Sequence, residues 1–245
     1  MLFKVQSNEE RRKMILNGKV INTLLFLSVP TLLVGIIQAL IPLSDSLFLN
    51  RLTSVEVASS VTFSQPVLNI MIALSQGLGV ATLVMLGRLY GKGRMLAVKE
   101  TMLQIFVFSF VIGLFIIPVC VFSAFIISKY TTAEIRDNVY IYIALYSLVM
   151  PFVFLAAIYN SSKNAIGRPE VTFIRIFLLL ILKIIFNSIF LYALKMGITG
   201  AVMASLFSYI TITIWMFYDL FLKTDDIKLS LKNYSIKLPI IKKIT

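Results

Sequence analysis

An all-α polytopic membrane protein with six transmembrane helices is the fold class this sequence predicts, and three observations carry the prediction. Of its 245 residues 59% are hydrophobic and only 14% charged, where a water-soluble domain has roughly a quarter of its residues charged. Charged residues leave continuous gaps at 20–44, 57–87, 101–128 and 138–162, each of 25 residues or more. These runs lack polar–apolar alternation and far exceed the ~9–11 residues of a barrel strand, so they read as helices.

A helix rises about 1.5 Å per residue and needs roughly 20 mostly apolar residues to cross the hydrocarbon. The first run gives helix 1 over 22–49. It follows a basic stretch with Arg11, Arg12, Lys13 and Lys19, yet it is too long for a signal-peptide core and no small-residue cleavage site follows. Helices 2, 3 and 4 are expected over 58–86, 100–128 and 138–161. Helix 5, over 172–194, is interrupted by Arg175 near its start and by Lys183 at its middle, whereas helix 6, over 198–221, is clean. Residues 1–20 form a polar N-terminal segment. Residues 223–245 form a polar tail with scattered Ile and Leu that reads as an amphipathic surface helix or a linker.

Histidine is absent and Cys120 is the sole cysteine. That removes zinc, haem, iron–sulfur and disulfide chemistry and all histidine acid–base mechanisms, so no metal site and no resident cofactor are expected. Lys and Arg total 23 against 11 Asp and Glu, a net charge of +12. Counted by loop, 18 basic residues fall on the side of the two termini and four (Arg51, Lys129, Arg136, Lys195) on the other. The positive-inside rule then puts both termini in the cytoplasm and the protein in the cell membrane. Arg175 is counted there with Lys163 and Arg168 as a flank of the loop after helix 4, and Lys183 is left as the one mid-membrane cation. A charge so dispersed is a topology signal and not a nucleic-acid surface.

Several motifs occur in order along the chain. Helix 1 carries Pro30, Gln38, Pro42 and then Asp45, six residues before Asn50-Arg51-Leu52-Thr53. Helix 2 has Pro66 followed by NIMIALSQGLGVATLVMLGRLYGKG, and further motifs are YNSSKNAIGRP at 159–169 and MGITGAVMAS at 196–205. Taken together, over roughly residues 20–222, they resemble the N-terminal six-helix lobe of the multidrug and toxic compound extrusion (MATE) family. The resemblance implies alternating access and outward movement of small amphipathic or cationic substrates against H⁺ or Na⁺. It also implies a second six-helix lobe, in a separate chain, a homodimer or a continuation, entering as a parallel repeat. In some members the helix 1 acid binds the coupling cation with groups on helices 5 and 6. Aligning FNSIFLYALKMGITG with the family's helix 5 end puts those positions on Asn187, Lys183 and Ser205. Only Asp45 matches in kind.

That departure has a physical consequence. A charge at mid-membrane costs about 3 kcal/mol even on the lenient insertion scale, so an acid and a base inside one bundle should pair. Asp45 and Lys183 are therefore expected to form an intramembrane ion pair in which lysine supplies the positive charge of a bound cation. The plainer alternative is an Asp45 that snorkels to the outer headgroups, since it lies toward one end of helix 1. Asn187, one turn beyond Lys183, is a cavity ligand or a helix–helix hydrogen bond. Gln38, Gln65, Asn69 and Gln76 are interhelical hydrogen bonds or cavity wall, and Pro42, three residues before Asp45, is a hinge candidate. Gly77, Gly79 and Ala81 are expected to permit close helix approach.

The leading function is a multidrug efflux antiporter. The alternatives are a polysaccharide or lipid-linked oligosaccharide flippase of the same superfamily, which several cavity cations would favour, and a non-transporting degenerate scaffold. An enzyme is not expected, because no Ser–Lys, paired-Asp or metal-ligand constellation lies within the spans and Asp219 is expected at the interface.

Overall fold

A computed structural model describes residues 17–222 and 228–229. Among them are six helices long and apolar enough to span a membrane: α1 Val20–Leu52, α2 Val55–Gly91, α3 Met95–Lys129, α4 Arg136–Ala165, α5 Pro169–Ala193 and α6 Gly197–Leu222. The basic residues Lys4, Arg11, Arg12 and Lys13, and all of the expected tail except Lys228 and Leu229, lie outside the described residues. Most helices overrun the uncharged stretches, α2 for instance reaching Glu56 at one end and Arg88 at the other. Long charged side chains in the terminal turns of a spanning helix can extend to the headgroup layer while the backbone keeps its internal hydrogen bonds.

Connections are tight. Two residues join α1 to α2, and the Ser54 hydroxyl accepts from the Val57 amide 3.4 Å away, capping the new helix. Between α4 and α5 the chain reverses at Gly167, whose φ of +75° is a left-handed conformation open to glycine at no steric cost. Pro30, Pro42, Pro66 and Pro118 lie within continuous helices.

Pro151 behaves differently. Lacking an amide hydrogen, it leaves the Ser147 carbonyl without its usual donor four residues on. There α4 tightens into a 3₁₀ turn, Ser147–Val149, dividing it into Arg136–Tyr146 and Met150–Ala165.

The helices pack with α4 at the centre. Its most apolar stretch is 61% buried, against 11% for α1, which leans on α5 and only lightly on α2. One apolar cluster gathers Leu86, Val98, Met102, Phe106, Tyr159 and Met216 from the end of α2, the start of α3 and the ends of α4 and α6. The other gathers Leu49, Leu68, Cys120, Ile143 and Val202 from the opposite helix ends. Outward-facing Leu32, Phe115, Phe122 and Ile214 remain exposed, as suits a surface solvated by lipid.

Two glycine positions test this packing. A Cβ on Gly113 would stand 2.5 Å from the Pro151 Cα and 3.1 Å from its nitrogen, so α3 touches α4 backbone to backbone at the 3₁₀ break. Gly79 is similarly close to Ser161 and Ala157 of α4, but Gly77 has nothing within 4 Å. The expectation of close approach is thus corrected at Gly77, which faces away from α4 on the exposed side of α2. Gly113→Ala is expected to destabilise the fold by about 1–3 kcal/mol, the range for overpacking, whereas Gly77→Ala is neutral or slightly stabilising. Thermal unfolding of the detergent-solubilised variants distinguishes the two.

Candidate functional site

The inward face of α5 builds the site. Arg175, Leu179, Lys183 and Asn187 recur every four residues, which stacks them on one side of the helix, and all four are buried. Directly after Asn187 the helix widens into a π-helical stretch, Ser188–Ala193; such distortions are frequent at functional sites. This face looks into a cavity of about 640 Å³ that α1, α2, α4, α5 and α6 line and α3 does not.

Within the cavity Asp45 uses both carboxylate oxygens. Its Oδ2 lies 2.6 Å from Lys183 Nζ, and its Oδ1 accepts a hydrogen bond of 2.7 Å from Asn187 Nδ2. Lys183 Nζ also donates to Ser205 Oγ at 2.7 Å, and that hydroxyl donates to the Ala201 carbonyl at 3.1 Å. Asp45, Lys183, Asn187 and Ser205 therefore form one polar chain linking α1, α5 and α6. Lys183, Asn187 and Ser205 are 2–3% exposed, whereas the Asp45 side chain is 28% exposed and forms the accessible end. Instead of snorkelling outward, Asp45 turns into the bundle, where a full counter-charge offsets its desolvation.

Gln38, Pro42, Gln65 and Asn69 also line the cavity, with Gln38, Pro42 and Asn69 on its exposed rim. Loop counting took Arg175, inside helix 5, only as a topology marker; the residue is 4% exposed and lines the cavity. Arg175 thus joins Lys183 as a second basic residue on the cavity wall. The signal was present as the eight-residue step from Arg175 to Lys183, two helical turns on one face. Tyr142, Tyr146 and Tyr209, which supply aromatic wall, carried no signal that separates them from packing residues.

A second polar cluster lies apart from the cavity. Lys163 Nζ is 2.5 Å from Asp219 Oδ2, to which the Tyr159 hydroxyl donates at 2.8 Å. Asp219, expected at the interface, is 4% exposed, with Lys163 and Tyr159 at 1% and 0%. It sits in the π-helical end of α6, Tyr218–Leu222, beside Trp215, whose ring packs edge-on against Tyr159 at 6.0 Å.

Comparisons with known proteins agree with this architecture. The chain is 21% identical over 224 residues to the Multidrug export protein MepA of Staphylococcus saprophyticus, an alignment covering 87% of this chain and 48% of that one. Its fold matches a crystal structure of MATE in the straight conformation with a TM-score of 0.85 at 24% identity, covering 94% of this chain and 52% of the other. A MOP superfamily transporter from Pyrococcus furiosus, described as having a binding pocket of reverse polarity, matches with a TM-score of 0.87 at 23% identity, covering 98% and 53%. The chain thus spans about half the length of these relatives. The sequence pattern of the MatE family matches residues 30–189, which takes in four of the five helices lining the cavity and three of the four residues of its polar chain. By that match this chain belongs to the MatE family.

Proposed function

We propose that the chain is a six-helix unit of a secondary-active multidrug exporter. In this reading it moves small amphipathic or cationic xenobiotics out across the cell membrane by alternating access. It works with a second six-helix lobe, and both of its termini lie in the cytoplasm. The polar chain Asp45–Lys183–Ser205, with Asn187 on Asp45, is the observation that carries the proposal. An ion pair in the membrane costs desolvation that an apolar pair would avoid, and here it joins α1, the helix least enclosed by the bundle, to α5 and α6. Neutralising Asp45 removes the attraction that holds α1 in place. Breaking a buried pair is worth about 3–5 kcal/mol, enough to shift a two-state equilibrium by more than a hundredfold. Lys183 Nζ already occupies the position beside the carboxylate that a bound cation would take, which favours H⁺ over Na⁺ as the coupling ion. The role is transport and not catalysis: the polar groups are arranged to hold one another and to face a cavity.

The test is dye accumulation in an efflux-deficient host, with ethidium as a cation and fluorescein as an anion. The chain is expressed with and without a C-terminal lobe from a family member. Energy-dependent efflux of either dye is expected, and Asp45→Asn is expected to lower it at least about tenfold at equal membrane abundance. Efflux that survives Asp45→Asn unchanged would remove the carboxylate from the mechanism. Absence of efflux of both dyes in both arrangements would overturn the transport reading.

A further inference from the structure

We propose that the cavity takes substrates bearing an oxyanion, a carboxylate, sulfonate or phosphate, and that Arg175 is the group that receives it. The proposal rests on the reading of this cavity as a substrate site and narrows the substrate class. Arg175 is 4% exposed, lines the cavity, and has its Nε and Nη1 buried with no hydrogen-bond partner among the described residues. A guanidinium does not deprotonate in proteins, so it cannot escape burial by becoming neutral. Left unpaired in a low-dielectric site, it is among the most costly groups a fold can hold.

The charges along the cavity wall make the case specific. Among the described residues that line it, the ionisable acids and bases are Asp45, Lys183 and Arg175. Asp45 and Lys183 neutralise each other at 2.6 Å, which leaves the guanidinium as the excess charge. Arg175 precedes Lys183 by eight residues, or about 12 Å along the helix, too far to share that carboxylate. The phenols of Tyr209 and Tyr159, which act on it electrostatically, are uncharged at neutral pH and give it no counter-charge.

A second orphan lies in the same region. Asn160 Oδ1 is buried without a partner and its residue also lines the cavity; being an acceptor it gives the oxyanion nothing, and it suits a donor on the same molecule, such as the ammonium of a zwitterion. The Asn160 carbonyl accepts from Thr172 Oγ1 at 3.4 Å, one helical turn before Arg175. The planar fork of arginine matches an oxyanion bidentately, and the tyrosine wall suits an apolar body attached to it. An amphipathic organic anion or zwitterion therefore fits this cavity better than the simple organic cation that the leading sequence reading expects.

The experiment is a matched-probe titration of the full chain in phosphatidylcholine nanodiscs. Dansylglycine carries a carboxylate, and dansylglycinamide has the same ring with a neutral amide. The carboxylate is expected to bind at least about tenfold tighter, the factor for one charge-assisted contact. Arg175→Gln is expected to erase that preference while leaving dansylglycinamide binding in place, which also shows that the variant is folded, and Arg175→Lys is expected to keep part of it. Equal binding of the two probes, a preference that survives Arg175→Gln, or no binding of either would overturn the proposal. Repeating the titration with phosphatidylglycerol in the disc identifies the source of the anion. Displacement of dansylglycine means a lipid headgroup reaches Arg175, and no displacement means a soluble anion does; in both cases an oxyanion binds there. Ethidium efflux dependent on Asp45, with no carboxylate preference in binding, would sink this inference and leave the transport reading standing.

Discussion

The Lys183→Met variant is expected to lose about 3–5 kcal/mol of stability, the cost of leaving a charge without its partner. The loss should fall toward the lower end of that range, because the Asp45 side chain is 28% exposed and retains some solvent together with its bond from Asn187. The double variant Asp45→Asn/Lys183→Met should recover most of the loss, since removing both charges also removes the desolvation penalty that the pair offsets. Unfolding by SDS in mixed micelles, followed by the fluorescence of the single Trp215, measures the double variant and the two single ones, Lys183→Met and Asp45→Asn. Independent, additive effects of the two single substitutions would mean that the ion pair contributes no coupling energy. The same double variant is expected to be as inactive as Asp45→Asn in the dye assay, because stability returns without the carboxylate. Stability and transport separate in that one comparison.

The second large effect belongs to the cluster at the other end of the bundle. Lys163→Met is expected to destabilise the protein by about 3–5 kcal/mol, here toward the upper end, because Lys163 and Asp219 are both almost fully enclosed. Tyr159→Phe removes one hydrogen bond to a charged acceptor and should cost about 1.5–3 kcal/mol. Trp215 packs against Tyr159, so its emission reports this cluster directly and should shift in both variants before global unfolding. Emission unchanged from that of the unsubstituted protein, with normal stability in Lys163→Met, would show the pair to be dispensable. The pair ties α4 to the π-helical end of α6 across 56 positions of sequence. It joins the two helices at the opposite end of the bundle from Asp45.

Some of the site was legible in advance. Asp45 and Lys183 stood out because a charge in an uncharged run is costly wherever it points, and two opposite charges within one bundle limit each other's choices. Asn187 and Ser205 entered through the family resemblance, and the geometry that joins them to the pair belongs to the folded chain alone. Arg175 was missed as a cavity residue for an identifiable reason. Loop counting treats a basic residue near the start of a span as a topology marker, but a helix has an inside face from its first turns, and Arg175 lies on the face that Lys183 occupies two turns later. Lys163 was likewise counted with the loop after helix 4, and Asp219 was placed at the interface, because each sits near a helix end; their mutual contact joins two helices far apart in sequence.

By itself the sequence determined the class of this protein and the number of its spans, because hydropathy and helix length are local properties that the bilayer reads segment by segment. It also determined that charges within the spans had to find partners, because the cost of an unpaired charge there does not depend on the fold. The Asp45–Lys183 pair was anticipated from the sequence, but that Lys163 meets Asp219, and that Arg175 meets no counter-charge among the described residues, only the tertiary structure decided. Lys183 reaches Asp45 across 138 residues, Lys163 reaches Asp219, and Arg175 is left facing a cavity. Those outcomes depend on the rotation and contact of whole helices, which are set by Gly113 against Pro151, by the 3₁₀ break in α4 and by the packing of α1 on α5. Such long-range packing leaves little trace in the order of residues along a uniformly apolar helix, where every face looks alike until its neighbours arrive.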